Sequence, residues 1–320
     1  MSWRTDGQRV VAIGGGHGLA RGLAALRRLA VAPTAIVTVA DDGGSSGRLR
    51  ADLGVIALGD LRMALLALAR NHGLADALAL RFLRGELEGH ALGNLLLLAL
   101  TEQAHGDVIA ALDEAAGLLD CAGRVLPAST APVHLAARVA GMEVDGQARV
   151  TRSTGRIERV WLEPEDPPAC AEAMAAVRAA DVVVLGPGSL FTSVVAALLV
   201  PQLATAVAET AARVVYLANV TAQPGETVGL DAQDHVAALL DHLPGARLDV
   251  VVLHDGPTDP HGGGPIGTQI AASDRVSRVI RADVVARRDD GSPGYGHDPA
   301  RLADVLAGVL DLPPASPGRR

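Results

Sequence analysis

Two glycine-rich runs, each shortly after an apolar segment, constrain the fold of this chain more than any other feature. Gly14-Gly15-Gly16-His17-Gly18 follows Val10–Ile13, and Gly43-Gly44-Ser45-Ser46-Gly47 follows the apolar run that ends at Ala40. The apolar segments are typical of buried strands, and glycine loops expose many backbone N–H groups with little side-chain bulk. Because parallel strands end at one edge of a sheet, we expect both loops there, where open α/β sheets bind ligands.

Strands and helices alternate along most of the remaining chain. Apolar strands are expected at 35–40, 125–127, 181–185, 214–219, 249–253 and 283–286. Helical spacing is found at 61–70, 75–84, 92–102, 107–119, 168–179, 232–243 and 299–310. This alternation predicts an α/β fold with a doubly wound, mostly parallel sheet and helices on both faces.

The stretch from about 136 to 162 departs from this pattern. Asp145-Gly146 stands between Met142–Val144 and Ala148–Val150, which is a hairpin signal, and Arg156–Trp161 is typical of a further strand. We interpret the stretch as a small β insertion. Residues 1–312 are then expected to form a single α/β domain of the nucleotide-binding type, and residues 313–320 a flexible tail.

Composition excludes several functional classes. A net charge of −8 argues against a nucleic-acid partner, and 2% aromatic residues leave few platforms for stacking bases. All 28 basic residues are arginine, which excludes a P-loop lysine, a Schiff-base lysine and a lysine general base. A phosphate would need arginine, backbone amides or a metal.

Cysteine use and hydropathy indicate the cytoplasm. Cys121 and Cys170 show no metal-type spacing, and no signal peptide is evident. Unbroken apolar stretches such as 95–100 are too short to span a bilayer. We also find no nucleophile elbow and no zinc-type spacing of His and Cys.

The first glycine loop is not the dinucleotide fingerprint, because Leu19 occupies the position of its third glycine. It could bind a phosphate at a helix N-terminus, with His17 and Arg21 adding positive charge. The alternative is a tight strand-to-helix turn without a ligand.

Asp41 and Asp42, before the second loop, have three candidate roles. They could bind ribose hydroxyls, hold Mg²⁺, or supply a general base. The alternative is a turn in which these carboxylates pair with Arg48 or Arg50.

Further polar groups stand at predicted helix starts and strand ends. Asp60 could be an N-cap, whereas Arg62 in the same first turn is unusual unless it serves an anion. His90 and Asn94 would share a helix face, in a ligand, capping or core role. Later strands are followed by Gly186, Gly188, Ser189 and Thr192, and by Asn219, Thr221 and Glu226.

Seven segments together resemble the gluconeogenesis factor family (YvcK-like), over nearly the whole chain. They are 14–19, 38–50, 59–62, 89–94, 185–193, 219–227 and 297–299. The resemblance implies a doubly wound α/β fold related to 2-phospho-L-lactate transferase, which moves a phospholactyl group from a nucleotide diphosphate donor to a deazaflavin with Mg²⁺. It also implies binding of UDP-sugars such as UDP-N-acetylglucosamine and roles in gluconeogenic carbon metabolism, cell shape and cell-wall synthesis, without a settled catalytic activity. Met63 and Ala64 depart from the Asn and Cys common in relatives.

Our leading hypothesis is a cytoplasmic UDP-sugar-binding regulator that links carbon supply to cell-wall synthesis. The alternatives are an Mg-dependent transferase and a scaffold that binds other proteins. The implied partners are a UDP-sugar or another nucleotide diphosphate, proteins of cell-wall synthesis and, as a homo-oligomer, further copies of the chain. Mg²⁺, on Asp41 and Asp42, is the one cofactor considered. The candidate ligand-binding residues are Gly14, Gly15, Gly16, His17, Gly18, Asp41, Asp42, Gly43, Gly44, Ser45, Ser46, Arg48, Asp60, Arg62, His90, Asn94, Gly186, Gly188, Ser189, Thr192, Asn219 and Thr221.

Overall fold

A parallel sheet forms the centre of the computed structural model, which describes residues 7–259 and 263–313. Its strands are β1 (Val10–Gly14), β2 (Thr34–Val37), β3 (Arg124–Pro127), β7 (Val182–Leu185), β8 (Arg213–Leu217), β9 (Val250–His254) and β10 (Val279–Ala282). Two smaller sheets are formed by β4 (His134–Val139), β5 (Met142–Asp145) and β6 (Ile157–Glu163), and by β11 (Val285–Arg287) and β12 (Pro293–His297).

Helices connect most of these strands. They are α1 (Gly16–Arg28), α2 (Gly44–Leu53), α3 (Gly59–Leu68), α4 (His72–Ala79), α5 (Leu92–Gln103), α6 (Val108–Leu118), α7 (Gln147–Val150), α8 (Ala171–Ala179), α9 (Ala196–Leu198), α10 (Pro201–Ala208), α11 (Ala232–Asp241) and α12 (Pro299–Val309). A π-helical segment, Leu190–Val195, leads into α9.

The strand order explains where a site can form. The sheet runs β10-β9-β8-β7-β1-β2-β3, and each of its strand pairs is parallel. The chain therefore moves outward in one direction after β1 and in the opposite direction after β7. Right-handed crossovers then place α1 and the helices after β7 on opposite faces. The predicted doubly wound α/β class is confirmed, and its switch point lies between β1 and β7.

Burial on both faces accounts for the unbroken apolar character of the central strands. All residues of β1 and β7 are buried, and α1 covers the sheet with Leu19, Leu23 and Leu26. α1 packs in turn against α3 and α12. The glycine turns at the ends of β1 and β7 are thus fixed to the most buried part of the molecule.

The prediction of a flexible loop at Gly43–Gly47 was wrong. Gly44 begins α2, and Ser45 and Ser46 are buried in its first turn. A Cβ at Gly47 would lie 1.9 Å from the carbonyl oxygen of Asp42, so this glycine allows close packing of backbone on backbone.

The predicted hairpin at Asp145-Gly146 was also wrong. The turn lies at Ala140 and Gly141, whose φ angles are both positive, and it joins β4 to β5. Gly146 precedes α7, so 148–150 is helical and not a strand. The β insertion consists of β4, β5 and β6, paired in the order β5-β4-β6.

The remaining differences are at the edges of the structure. The helix predicted at 75–84 is α4, which ends at Ala79, and β10 and α10 were not predicted. The strand predicted at 283–286 is β11, which pairs with β12 outside the main sheet. The predicted tail extends into residues 314–320, outside the described residues. Within the described ranges no single helix could cross a membrane, although 190–198 and 201–208, bent by 85°, pass the length and composition test as a pair.

Candidate functional site

A crevice of about 870 Å³ opens at the carboxyl ends of the strands on both sides of the switch point. Its floor is formed by the turns after β1 and β7. One wall comes from the segment after β2 and from α3, and the other from the segment after β8. The candidate residues that line it are Gly15, Gly16, His17, Gly18, Asp41, Gly43, Gly44, Asp60, Gly188, Ser189, Thr192, Asn219 and Thr221.

The two glycine turns touch each other through their backbones. A Cβ at Gly18 would lie 2.4 Å from Cα of Gly188 and 2.6 Å from the carbonyl oxygen of Pro187. A Cβ at Gly14 would lie 3.7 Å from Cα of Gly186. These two glycines are not among the residues that line the crevice. The contact at Gly18 requires a residue without a side chain, and it joins distant parts of the chain around one space.

Asp60 caps the helix after the first turn, not its own helix. Its Oδ2 accepts a hydrogen bond of 2.8 Å from the Gly16 backbone N–H, at the start of α1. The N-cap of α3 is Leu58, so the local N-cap alternative for Asp60 was wrong. A carboxylate from 44 residues further along the chain thus occupies part of the expected phosphate position.

Asp41 brings a second carboxylate to the same side of the crevice. Its Oδ1 accepts a hydrogen bond of 3.0 Å from the Gly43 N–H, and burial raises its pKa. Burial, followed by the charge of Asp41, raises the pKa of Asp60 to about 7. This wall therefore carries two nearby acids of which one titrates close to neutrality.

Asp42 lies outside the crevice and holds the β insertion. Its Oδ1 accepts a hydrogen bond of 2.8 Å from the Ala148 N–H in α7, and a Cβ at Gly146 would lie 2.4 Å from its Oδ2. The prediction that Asp41 and Asp42 face one ligand is corrected, because their side chains go to different partners.

Several other candidates lie behind the first wall. Ser45 Oγ is 3.1 Å from His90 Nδ1 and accepts a hydrogen bond of 3.1 Å from Asn94 Nδ2. Arg48 donates to the carbonyl oxygen of Glu88. None of these residues lines the crevice, and neither do Ser46 and Arg62. Their positions support the core interpretation of Asn94 and make Ser45, at 1% exposure, a structural hydroxyl, whereas His90 is only half-buried.

Arg62 is buried and has an Nε without a hydrogen-bond partner. Its aliphatic stem packs on Gly93, where a Cβ would lie 2.8 Å from Cδ. Burial lowers the pKa of this guanidinium, and the nearby charge of Arg81 lowers it further. Arg62 thus does not line the crevice, but its positive charge acts on the nearby carboxylates Asp60 and Asp41.

The turn after β7 has a carboxylate cap of its own. Glu226 accepts hydrogen bonds from the backbone N–H groups of Phe191 and Thr192 and from the Thr192 hydroxyl. Gln223 extends this group, since its Nε2 donates to Ser189 Oγ at 3.1 Å and its Oε1 accepts from Asn219 Nδ2 at 2.8 Å. The second wall is therefore a connected network of amides and hydroxyls around one buried acid.

Sequence reasoning missed four lining side chains. Arg81 comes from the segment after α4, Gln147 and Thr151 come from the β insertion, and Tyr295 comes from β12. No local motif marks them, because they reach the crevice only through the packing of small sheets and loops against the main sheet. Gln223 and Glu226, by contrast, belong to the polar run at 219–227, which the sequence pattern had singled out.

The described residues offer limited ligands for a metal. They contain no group of three or more His, Cys, Asp or Glu side chains that could hold one. Asp41 and Asp60 fit Mg²⁺ of the kind held by one or two carboxylates together with ligand phosphates, whereas Asp42 is directed elsewhere.

These elements define the class of the protein. It is a doubly wound α/β protein whose crevice lies at the switch point of the sheet. The family model of 2-phospho-L-lactate transferase CofD matches residues 10–266. The match includes both glycine turns and both walls, and it ends before β10, β11 and β12.

Similar proteins and a similar solved structure identify the family within this class. A protein of Mycobacterium tuberculosis is 45% identical over 319 residues, with 95% of this chain and 90% of the relative covered. The gluconeogenesis factor of Bacillus subtilis is 38% identical over 314 residues, covering 94% and 98%. A crystal structure of a Bacillus halodurans protein superposes with a TM-score of 0.86 at 36% identity, covering 94% and 99%. The chain belongs to the gluconeogenesis factor family, within the larger CofD family.

Proposed function

We propose that the crevice binds a nucleotide diphosphate sugar of the UDP-N-acetylglucosamine type. Through this ligand the protein would act as a regulator that links gluconeogenic carbon metabolism to cell-wall synthesis and cell shape. The observation that carries the proposal is the contact between the turns after β1 and β7, which brings Gly18 against Gly188 at the floor of the crevice. A diphosphate is the ligand group that best matches bare backbone at such a switch point.

The charges around the crevice support an extended anionic ligand. Arg21 on α1 supplies positive charge beside the first turn, where His17 also lines the crevice, and Arg81 supplies positive charge at the acidic wall. The network of Asn219, Gln223 and Ser189 offers neutral donors and acceptors, which suit sugar hydroxyls or a base edge. One end thus suits phosphate, and the other suits uncharged polar groups.

The pair of acids supports a second candidate, an Mg-dependent transferase acting on a nucleotide diphosphate. Asp41 and Asp60 both line the crevice and would hold the metal, which would offset the charge of the diphosphate. Turnover of a labelled donor with candidate acceptors distinguishes this enzyme from a regulator that only binds.

A charge substitution at His17 tests the binding proposal without disturbing the core. His17 is exposed, lines the crevice and stands in the first turn of α1. His17→Glu should lower the affinity for UDP-N-acetylglucosamine about tenfold by repelling the diphosphate, while an acid in a first helical turn preserves stability. Isothermal titration calorimetry measures the affinity.

His72→Glu is the matched control, since His72 is an exposed first-turn residue of α4 outside the crevice. It should leave the affinity unchanged. Absence of binding by the unmodified chain, or equal affinity of the two variants, would contradict the proposal.

A further inference from the structure

One aromatic ring stands open in the crevice. Of the lining residues in the described part of the chain, Tyr295 alone is Phe, Tyr or Trp, and it is 57% exposed. Tyr216 and Phe191, by contrast, are in the core. Exposure of a large aromatic ring to water is unfavourable. Such a ring in a polar crevice is unusual in a chain with 2% aromatic residues.

The surrounding backbone fixes the position of this ring. Tyr295 lies in β12 between Gly294 and Gly296, so neither neighbour carries a side chain. Its carbonyl oxygen accepts a hydrogen bond from Arg21 on α1. A Cβ at Gly296 would lie 2.1 Å from an Arg21 nitrogen, and the φ of Gly296 is +69°, so glycine is needed there.

A cation supports the ring from one side. The Arg288 guanidinium lies 5.5 Å from the ring centroid and is ion-paired with Asp259, whose side chain is fully buried. The ring is thus held in place by its backbone and by a fixed cation, while more than half of its surface stays open.

Arg21 connects the ring to the first glycine turn. It belongs to α1, which begins at Gly16, and it donates a hydrogen bond to the Tyr295 carbonyl oxygen. Gly16 and Tyr295 also line the same crevice, so a nucleotide bound there could contact both.

From these observations we propose that the Tyr295 ring is the platform on which the nucleobase of the ligand stacks. The inference rests on the proposed function, because it assumes that the diphosphate lies at the glycine turns. It adds the orientation of the ligand, with its base toward β12 and its sugar toward the walls. It also assigns a binding role to a strand outside the matched CofD region.

The test compares UDP-N-acetylglucosamine with its 5,6-dihydrouracil analogue, which keeps the hydrogen-bonding groups of the base but loses its aromatic ring. Base–aromatic stacking is worth enough for the unmodified chain to bind the natural ligand about tenfold more tightly. Tyr295→Leu should lose that preference, Tyr295→Phe should keep it, and titration calorimetry measures all affinities.

Trp161→Leu is the matched control. Trp161 also lies under an arginine, at 5.9 Å from Arg159, but in a groove away from the crevice. Its loss should leave both affinities unchanged.

The outcomes separate the two proposals. Absence of binding by the unmodified chain overturns the proposed function and this inference together. Binding without a preference between the two ligands, or a preference that survives in Tyr295→Leu, overturns the inference alone. The ligand comparison uses the unmodified chain and remains decisive even if Tyr295→Leu does not fold.

Discussion

The turns after β1 and β7 are built alike but differ in how their helices are capped. In both turns, a carboxylate from a distant segment reaches the start of the following helix. Asp60 accepts one hydrogen bond there, from the Gly16 N–H, and has Asp41 as an acidic neighbour. Glu226 accepts from two backbone N–H groups and the Thr192 hydroxyl.

This difference separates a structural cap from a responsive one. Glu226 is 5% exposed, and burial raises its pKa too, but three hydrogen bonds from Phe191 and Thr192 oppose that rise. Burial, followed by the charge of Asp41, raises the pKa of Asp60 to about 7, and a single hydrogen bond, from the Gly16 N–H, opposes this rise. We infer that the three hydrogen bonds of Glu226 fix the β7 turn, whereas the single hydrogen bond of Asp60 leaves the β1 turn able to respond when a ligand or a proton arrives.

Breaking the contact between the turns should have the largest effect. Gly18→Ala places a Cβ 2.4 Å from Cα of Gly188, and backbone on both sides leaves nothing flexible to yield. We expect a loss of about 3 kcal/mol in the free energy of unfolding, the upper range of overpacking effects. Urea unfolding measures it.

Gly117→Ala is the control for helix propensity. Gly117 is exposed in α6, and a Cβ there would meet no atom within 4 Å. This substitution should be neutral or stabilise the protein by about 0.5 kcal/mol. If both alanine variants were equally stable, the close contact between the two turns would be contradicted.

Removal of the β7 cap should have an intermediate effect. Glu226→Ala leaves the N–H groups of Phe191 and Thr192 without their acceptor, at an expected cost of about 2 kcal/mol. The same unfolding experiment on Glu102→Ala, an exposed acid in α5, should give a change of less than about 0.5 kcal/mol. An equally small change at Glu226 would show that its cap is dispensable.

The sequence was sufficient to predict both turns and the sheet class. Each turn is a glycine cluster between an apolar strand and a helix, and parallel strands bring such clusters to one edge. α2 was not predictable in this way. Its first turn contains glycine and serine, which favour loops, and it forms because Ser45 and Ser46 are buried against partners distant in sequence.

The caps of these two turns could not be predicted from the local sequence pattern. Asp60 precedes a helical run and therefore predicts a cap of that run, yet it bonds to Gly16 on another helix. Asp42 stands beside Asp41 in sequence but serves α7 in the insertion. Tyr295 lies in a strand that only the pairing of β11 with β12 defines. Such roles depend on contacts between segments, which propensity and spacing do not encode.

The smallest expected effect is a pH-dependent one at the β1 turn. Because the pKa of Asp60 is about 7 in the folded protein and near 3.8 when unfolded, the folded state holds a proton between these values that the unfolded chain releases. Stability contributed by this group therefore falls as the pH rises from about 4 to 7.

Asp60→Asn keeps an acceptor for Gly16 but cannot ionise. Its stability relative to the unmodified chain should thus increase from pH 5 to pH 8, by about 1 kcal/mol after allowance for solvent screening. Urea unfolding at both pH values, without ligand, measures the difference. A difference that stays constant or decreases would mean that burial and the charge of Asp41 do not raise the pKa of Asp60 in the folded protein.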